Sequence, residues 1–173
     1  MSRSARRGVS WALVVLVAGF GTARAQEDEA GIAVGRTPGH ALVEDLSAKP
    51  VDLSRLIGTR PALVEFWATW CPRCRALEPR VKAAYARYGG RIQFLVVAVA
   101  VNETLAGVRR HLVQHPVPYR FLWDAGGSAV RAFAAPTTSY MVVLGQDGRV
   151  AYTGVGEEQN FEAALARVAG RTP

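Results

Sequence analysis

Two cysteines, the only ones in the 173-residue chain, stand two residues apart in the segment Trp70-Cys71-Pro72-Arg73-Cys74. A thiol pair at this spacing can close a disulfide and open it again with little movement of the main chain. As a structural cross-link the pair would contribute little, because chain-entropy arithmetic for a four-residue loop gives roughly 2 kcal/mol. The spacing therefore favours redox chemistry over a structural role.

The cysteine pair lies between a predicted strand and a predicted helix. The run 62–67 precedes it and is apolar enough to be buried on both faces of a sheet. Helical periodicity then extends from about Pro72 to Tyr88. Such a helix directs free backbone N–H groups and the positive end of its dipole toward Cys71, which favours the thiolate, the reactive form of the sulfur.

The two residues between the cysteines bear on the reactivity of Cys71. Pro72 is compatible with the first turn of a helix and donates no hydrogen bond. Arg73 adds a positive charge that favours the Cys71 thiolate and stabilises the reduced form. If its side chain instead points to solvent, screening leaves it with little effect. The sequence leaves both interpretations of Arg73 open.

Residues 1–25 have the pattern of an export signal. They contain three arginines within the first seven residues, an apolar core at 9–20 and a small-x-small cleavage site at Ala23-Arg24-Ala25. This core is shorter than the roughly 20 residues that a membrane-spanning helix needs. We therefore predict a periplasmic or otherwise exported protein, with an uncleaved N-terminal membrane anchor as the alternative. Disulfides can form and persist in such a compartment.

The charge of the chain gives no indication of nucleic-acid binding. The formal net charge is +7, but the predicted signal holds four basic and no acidic residues, so 26–173 carries 17 basic and 14 acidic residues. No basic face with interleaved aromatic residues is visible in the sequence.

The length that remains after the predicted signal suits one domain. We place this domain at 38–173, after a flexible leader at 26–37 that is first acidic and then contains glycine and proline.

The order of the predicted elements indicates an α/β fold. The pattern predicts a hairpin at 40–44 and 49–52, a brief helix at 54–58, strand 62–67, helix 72–88, strand 92–101, helix 104–114, strand 119–123, a short helix at 128–133, a hairpin of strands 140–144 and 149–153 around Asp147-Gly148, and a last helix at 157–169. Alternating strands and helices followed by a hairpin imply a mixed sheet with helices on both faces.

The segment Val64-Glu65-Phe66-Trp67-Ala68-Thr69-Trp70-Cys71-Pro72-Arg73-Cys74 resembles the active-site segment of the TlpA/ResA-like exported thiol–disulfide oxidoreductases, a branch of the thioredoxin superfamily. The resemblance covers about residues 38–169. It implies a thioredoxin-like fold with a mixed central sheet, helices on both faces and an N-terminal hairpin extension. It also implies a redox-active disulfide, Cys71–Cys74, with no other cofactor.

The resemblance assigns a role to each residue of the motif. Cys71 would be the exposed nucleophile, and Cys74 the resolving thiol one helical turn further in. Glu65 would move a proton to and from Cys74, for which a carboxyl with a raised pKa is suited. The alternative for Glu65 is a carboxylate at the end of a strand that faces solvent. Trp70 would be an active-site aromatic residue.

Members of this superfamily also carry a cis-proline beside the cysteines. Pro136-Thr137-Thr138 offers a match, but counting back from Gly148 and forward from Phe133 places the position at Ser139. We favour Ser139 and keep Pro136 as the alternative register. A cis peptide bond before a residue other than proline costs about 2.5–4 kcal/mol, so a serine there is expected to be trans. Thr138 and Ser139 would line the substrate groove, Ser139 could donate a hydrogen bond to Cys71, and Ser139→Pro should alter the redox rate or metal uptake.

Three functions compete for this pattern. The first is reduction of disulfides in exported partner proteins by a monomer that receives electrons from a membrane-bound donor. The second is donation of a disulfide by the same residues. The third is copper binding of the Sco-like kind, although that family spaces its cysteines one residue wider. His111 and His115 have metal-binding spacing, but without a third ligand we predict surface histidines and no metal site.

Overall fold

The computed structural model describes residues 31–170 and has seven strands and five helices in that range. In chain order they are β1 (Leu42–Glu44), β2 (Pro50–Asp52), α1 (Leu53–Ile57), β3 (Ala62–Trp67), α2 (Pro72–Tyr88), β4 (Gln93–Val99), α3 (Leu105–Gln114), β5 (Arg120–Asp124), α4 (Ser128–Ala132), β6 (Tyr140–Leu144), β7 (Val150–Val155) and α5 (Phe161–Ala169). Every predicted element is present.

The strands form one mixed sheet in the order β2-β1-β5-β4-β3-β6-β7. The central strands β3, β4 and β5 are parallel, whereas β6 and β7 at one side and β1 and β2 at the other pair antiparallel. The two hairpins thus flank a parallel centre, and the predicted thioredoxin-like architecture with its N-terminal hairpin is confirmed. The active-site strand β3 lies between β4 and β6, so both of its edges are paired and its backbone is rigidly held.

Two apolar clusters cover the two faces of the sheet. One contains the buried faces of α2 and α5, together with Leu63 of β3 and Met141 of β6. The other contains Val64 and Phe66 of β3 with residues of α1 and α4, and it extends to Trp67, on the face of Leu63, and to Val108 of α3. Because side chains alternate along a strand, Glu65 shares the face of Leu63, which is the face that α2 covers.

The last helix begins later than the sequence predicted. The periodicity placed its start at 157, but α5 begins at Phe161. Asn160 is the N-cap, and its side chain accepts a hydrogen bond from the N–H of Ala163. Gly156 has a φ of +87°, which a continuing helix does not allow. The segment 156–160 is therefore a turn that leads back toward the sheet.

The N-terminal boundary of the domain also needs correction. We placed it at residue 38, after a leader at 26–37, of which 26–30 lie outside the described residues. In the described part, the N–H of Ile32 donates to the carbonyl of Phe133, and Gly35 and Arg36 exchange main-chain hydrogen bonds with Val150. Residues 31–37 are thus attached to β7 and to the end of α4, and belong to the domain.

None of the helices within residues 31–170 has the length and apolar character required to cross a membrane. The predicted signal at 1–25 lies outside the described residues.

Candidate active site

The two cysteines form a disulfide at the start of α2, directly after the end of β3. Cys71 is the N-cap of this helix, and its sulfur accepts a hydrogen bond from the N–H of Cys74 at 3.1 Å. The helix therefore directs a backbone donor at this sulfur, as predicted. Cys71 is only 2% exposed and Cys74 1%. The expectation of an exposed Cys71 is wrong for this disulfide form, in which the neighbouring Trp70 takes the solvent-facing position at 44% exposure.

The loop before the cysteines is held by the chain that follows β4. The indole N–H of Trp70 donates to the carbonyl of Val101 at 2.9 Å. The carboxylate of Glu103 accepts hydrogen bonds from both the backbone N–H and the hydroxyl of Thr69. Burial acts in the opposite direction, but these hydrogen bonds lower the pKa of Glu103. Glu103 thus acts as an ionised anchor for the active-site loop, and no spacing in the sequence pointed to it.

Pro72 and Arg73 both lie on the exposed surface of the first turn of α2. Pro72 occupies the beginning of the helix, where a missing N–H costs nothing. The exposure of Arg73 favours the interpretation in which its charge is screened by solvent. The hydrogen bond from the N–H of Cys74 is accordingly the best-defined support for a thiolate at Cys71.

Glu65 lies in the middle of β3 and is 4% exposed, so the solvent-facing alternative is wrong. Its partners in register are Val96 of β4 and Met141 of β6, which offer no charge. Its Oε1 has no hydrogen-bond partner among the described residues. Burial, and secondly the charge of Glu78, raise the pKa of Glu65 to about 8. Glu65 and Cys74 line the same narrow cavity, which puts a titratable carboxyl beside the resolving cysteine.

The two candidates for the cis-proline position have different surroundings. Ser139 is fully buried directly before β6, and its N–H donates to the carbonyl of Phe66 at 2.8 Å. Pro136 is exposed, and Thr138 is half-buried. No peptide bond within 31–170 is cis. The structure therefore brings Ser139, and not Pro136, against the active-site strand.

Ser139 makes a different set of contacts from the one we expected. Its Oγ accepts a hydrogen bond from the N–H of Gly156 at 3.3 Å, and its carbonyl accepts one from the side chain of Gln159 at 2.9 Å. Its φ is +61°, far from the −65° that a proline ring imposes. Ser139→Pro would also remove the N–H that binds Phe66. This substitution is therefore a test of folding and cannot report on the redox groove.

The histidines of α3 have separate environments. His111 is half-buried, with its ring 5.1 Å from that of Trp67, while His115 is exposed. Both line the cavity that contains Glu65 and Cys74. Burial, and then the charge of His115, lower the pKa of His111. Within residues 31–170 no three His, Cys, Asp or Glu side chains are grouped so that they could hold a metal ion.

The relatives that sequence comparison finds include thiol:disulfide interchange proteins and thiol–disulfide oxidoreductases. Over 71 residues the chain is 37% identical to a thiol:disulfide interchange protein, the TxlA homolog of Synechocystis, and this stretch is 41% of the chain and 39% of that protein. It is 24% identical to the thiol–disulfide oxidoreductases ResA of Halalkalibacterium halodurans and of Bacillus subtilis. These matches cover 70% and 69% of the chain, and 69% and 65% of the respective relatives. The chain thus matches about two thirds of each ResA and well under half of the TxlA homolog.

Solved structures confirm the fold. A thioredoxin-family thiol:disulfide interchange protein from Chlorobium tepidum superposes with a TM-score of 0.64 at 23% identity, over 80% of this chain and 99% of that one. A secreted Mycobacterium tuberculosis disulfide oxidoreductase, described as homologous to DsbE of E. coli, gives 0.61 at 21% identity, over 75% and 94%.

The C-x-x-C geometry and these matches agree with the predicted resemblance to the TlpA/ResA-like thiol–disulfide oxidoreductases. A family profile described as Redoxin matches residues 33–168, most of the chain, and we conclude that the chain belongs to the Redoxin family.

Proposed function

We propose that this protein reduces disulfides in exported partner proteins, with Glu65 as the base that deprotonates Cys74. The observation that carries the proposal is the buried carboxyl of Glu65 in the same cavity as the resolving cysteine. A general base must be close to the proton it removes and must have a pKa near the working pH. With a pKa of about 8, Glu65 meets the second condition in a neutral compartment.

The reducing direction is supported by how little stabilises a thiolate at Cys71. A strongly oxidising dithiol is one whose reduced form is stabilised. Here the sulfur of Cys71 accepts one backbone hydrogen bond. Arg73, the positively charged residue between the two cysteines, is exposed to solvent. When Glu65 is ionised, its charge further disfavours a second anion at Cys74. The disulfide form is therefore favoured, which makes the dithiol a reductant.

The reaction is an exchange of one disulfide for another. The thiolate of Cys71 attacks a partner disulfide, forms a mixed disulfide and expels the first partner thiolate. Glu65 then takes the proton of the Cys74 thiol. The resulting thiolate attacks the sulfur of Cys71, which closes the Cys71–Cys74 disulfide and expels the second partner thiolate. Two electrons pass to the partner, and its two thiolates take up protons from solvent.

Location and electron supply belong to the same proposal. The signal pattern at 1–25 would export the chain to a compartment in which disulfides persist. One solved structure that the chain resembles is described as that of a secreted protein. Each turnover leaves the protein oxidised, so a membrane-bound donor of electrons must reduce it again. The proposed protein acts as a monomer, and its partners are proteins that carry disulfides.

Trapping tests the proposed exchange directly. In the exporting cell, Cys74→Ser should leave Cys71 joined to its partners, because nothing resolves the mixed disulfide. The matched control is Cys71→Ser, which keeps one cysteine in the same helix but lacks the nucleophile and should trap nothing. Adducts would be seen as reductant-sensitive bands on non-reducing gels. If Cys74→Ser traps no more than Cys71→Ser does, exchange with protein partners is contradicted.

The reduction potential decides the direction. Equilibration of the wild-type protein with thiol buffers, followed by a count of free thiols, should give a value near or below about −250 mV, close to that of thioredoxin. A value near about −120 mV is that of a strong disulfide donor. Such a value would overturn the reducing direction and leave the exchange chemistry intact.

Glu65→Gln tests the base. Reaction of the reduced protein with Ellman's reagent releases one thionitrobenzoate when Cys71 attacks and a second, in a first-order phase, when Cys74 resolves the mixed disulfide. Glu65→Gln should slow the second phase about 10²-fold, the low end of what a general base contributes, and leave the first unchanged. An unchanged second phase would contradict the role of Glu65.

A further inference from the structure

The end of the sheet that carries the cysteines has exposed charges of opposite sign on its two sides. Strands β3, β4 and β7 finish at this end, with β4 on one side of β3 and β7 on the other. Glu157 and Glu158, which follow β7, are exposed. On the side of β4, two exposed arginines lie at the loop before Cys71, namely Arg75 and Arg110.

A polar groove on the side of β4 runs along the loop that precedes the cysteines. Its volume is about 350 Å³, and it is lined by Thr69 of this loop, by residues 102–104 after β4, and by Arg110 with other residues of α3. Arg75 reaches the same loop from α2, since its guanidinium donates to the carbonyl of Thr69 at 3.0 Å. Two positive charges from different helices thus meet at the loop that carries the nucleophile.

Neither of these two arginines is neutralised by a carboxylate. Within residues 31–170 they take part in no ion pair. Other cations of α2 do, since Arg80 pairs with Glu162 at 2.7 Å and Lys82 pairs with Glu78 at 2.6 Å. The charges beside the groove therefore remain available to an anionic group of another molecule.

The carboxylate of Glu103 also lines the groove, but the chain itself uses its hydrogen-bonding capacity. One of its oxygens accepts the N–H and the hydroxyl of Thr69, and the other accepts the N–H of Thr104 at 2.9 Å. Two arginines thus stand against one carboxylate that is already bound. The net charge of these three side chains is positive, which favours an acidic occupant.

The rim of the groove beside Cys71 is apolar and exposed. Trp70 is 44% exposed and Val101 is 61% exposed. The two residues are neighbours, because the indole N–H of Trp70 donates to the carbonyl of Val101 at 2.9 Å. Adjacent exposed apolar side chains next to a reactive residue are typical of a surface that a partner covers. The name β4-side surface is used below for Trp70, Val101, Arg75 and Arg110.

We propose that the β4-side surface docks an acidic segment that lies next to the disulfide of the partner protein. The proposal rests on the exchange chemistry proposed above and names the class of partner that this exchange serves. Carboxylates of the segment pair with the two guanidinium groups, whose planar N–H donors match carboxylate oxygens. Apolar side chains of the segment cover Trp70 and Val101. Glu157 and Glu158 repel the same segment, which directs it to one side of Cys71.

Peptides with one activated cysteine test the β4-side surface. The cysteine is joined to 2-thiopyridine in a mixed disulfide. Attack by the Cys71 thiolate on the peptide sulfur forms a disulfide between protein and peptide and expels the thiopyridine, which is measured by its absorbance. Three peptides would be compared that differ only in whether aspartates, serines or lysines flank the cysteine. The leaving group is uncharged, so only the charges of the peptide vary.

The reduced wild-type protein should react with the aspartate peptide about tenfold faster than with the serine peptide at low ionic strength, because charge complementarity raises the rate of encounter. The lysine peptide should react more slowly than the serine peptide. In about 1 M salt the Debye length falls to about 3 Å, and the three rates should become similar.

The double variant Arg75→Gln/Arg110→Gln should bring the ratio of the aspartate rate to the serine rate close to one. This ratio cancels any change in the reactivity of Cys71, so a merely structural role of the two arginines would leave it unchanged. The matched control is Arg87→Gln/Arg167→Gln. It removes two exposed charges from the last turns of α2 and α5, and it should keep the wild-type ratio.

A wild-type ratio near one at low ionic strength overturns the proposal, and so does a ratio that salt leaves unchanged. An equal fall of the ratio in the two double variants overturns it as well, because the overall charge of the protein would then be the cause. Failure of the exchange itself is distinguishable, since in that case no peptide would react faster with the wild type than with Cys71→Ser.

Discussion

Two buried carboxyl groups of the sheet, Asp124 and Glu65, have opposite surroundings. Asp124 ends β5 and is 1% exposed, and its two oxygens accept the N–H groups of Ala129 and Val130 at 3.2 and 2.9 Å. Glu65 is 4% exposed, has an oxygen without a partner within the described residues, and has a pKa of about 8. The same functional group thus fastens a helix in one place and stays available for protonation in the other.

The difference follows from what each carboxyl faces. The first turn of α4 presents N–H groups that no other residue of the helix can satisfy, so a carboxylate there gains hydrogen bonds that offset its burial. Glu65 lines a small cavity together with Cys74, and burying its charge without a partner is costly. The buried Glu65 carboxyl therefore lowers the stability of the fold, and its role is chemical.

The largest expected effect is on the pH dependence of stability. The pKa of Glu65 is about 8 in the folded protein against 4.5 for the free side chain. A raised folded-state pKa gives stability that is complete below pH 4.5 and is lost as pH rises through 8. The limit of this loss is about 5 kcal/mol at 1.36 kcal/mol per pH unit. Denaturant unfolding of the oxidised wild type and of Glu65→Gln at a series of pH values measures it.

The glutamine variant should lack most of the decline between pH 5 and 8, since its side chain does not titrate. If the wild type and Glu65→Gln lose stability in parallel, other groups cause the decline. Glu65 would then be ionised at neutral pH, and its surroundings would resemble those of Asp124 more than we infer.

The next effect concerns Asp124. Asp124→Ala should lower the free energy of unfolding by about 2–3 kcal/mol, because the backbone N–H groups of Ala129 and Val130 lose their acceptors. The matched control is Asp147→Ala, in which an exposed aspartate loses one backbone hydrogen bond, from Arg149 at 3.1 Å, and an exposed ion pair with the same residue at 3.9 Å. Surface changes of this kind stay within about 0.5 kcal/mol. Equal losses in the two variants would mean that burial does not decide the role of Asp124.

The fold of this chain was predictable because its elements have strong periodicity and clear ends. The helix predicted at 72–88 has these bounds in the structure, where Cys71 caps it and Gly89 follows it. The redox pair and Glu65 were likewise accessible from the sequence, since they lie on one strand–helix unit.

What the sequence could not predict depends on contacts between distant segments. Glu103 reaches Thr69, and His111 reaches the cavity of Glu65, only because α3 and the loop before it return to the end of β3. Ser139 has a left-handed φ, and its carbonyl accepts a hydrogen bond from the side chain of Gln159, which lies in a turn that the periodicity assigned to helix. None of these pairs has a spacing that a local pattern could reveal.

The smallest expected effect is a gain in the free energy of unfolding when the Glu65 carboxyl is replaced by an apolar side chain. At pH 6 Glu65 is protonated, so Glu65→Leu removes a buried polar group without removing a charge. Because such a group costs about 1–3 kcal/mol when unpaired, the leucine variant should be more stable than the wild type by about 1 kcal/mol while resolving mixed disulfides slowly. Glu65→Gln is the matched control, since its amide is equally polar and should bring no gain. Unfolding at pH 6 that finds the leucine variant less stable than the glutamine variant would mean that Glu65 has a hydrogen-bonded structural role, as Asp124 has.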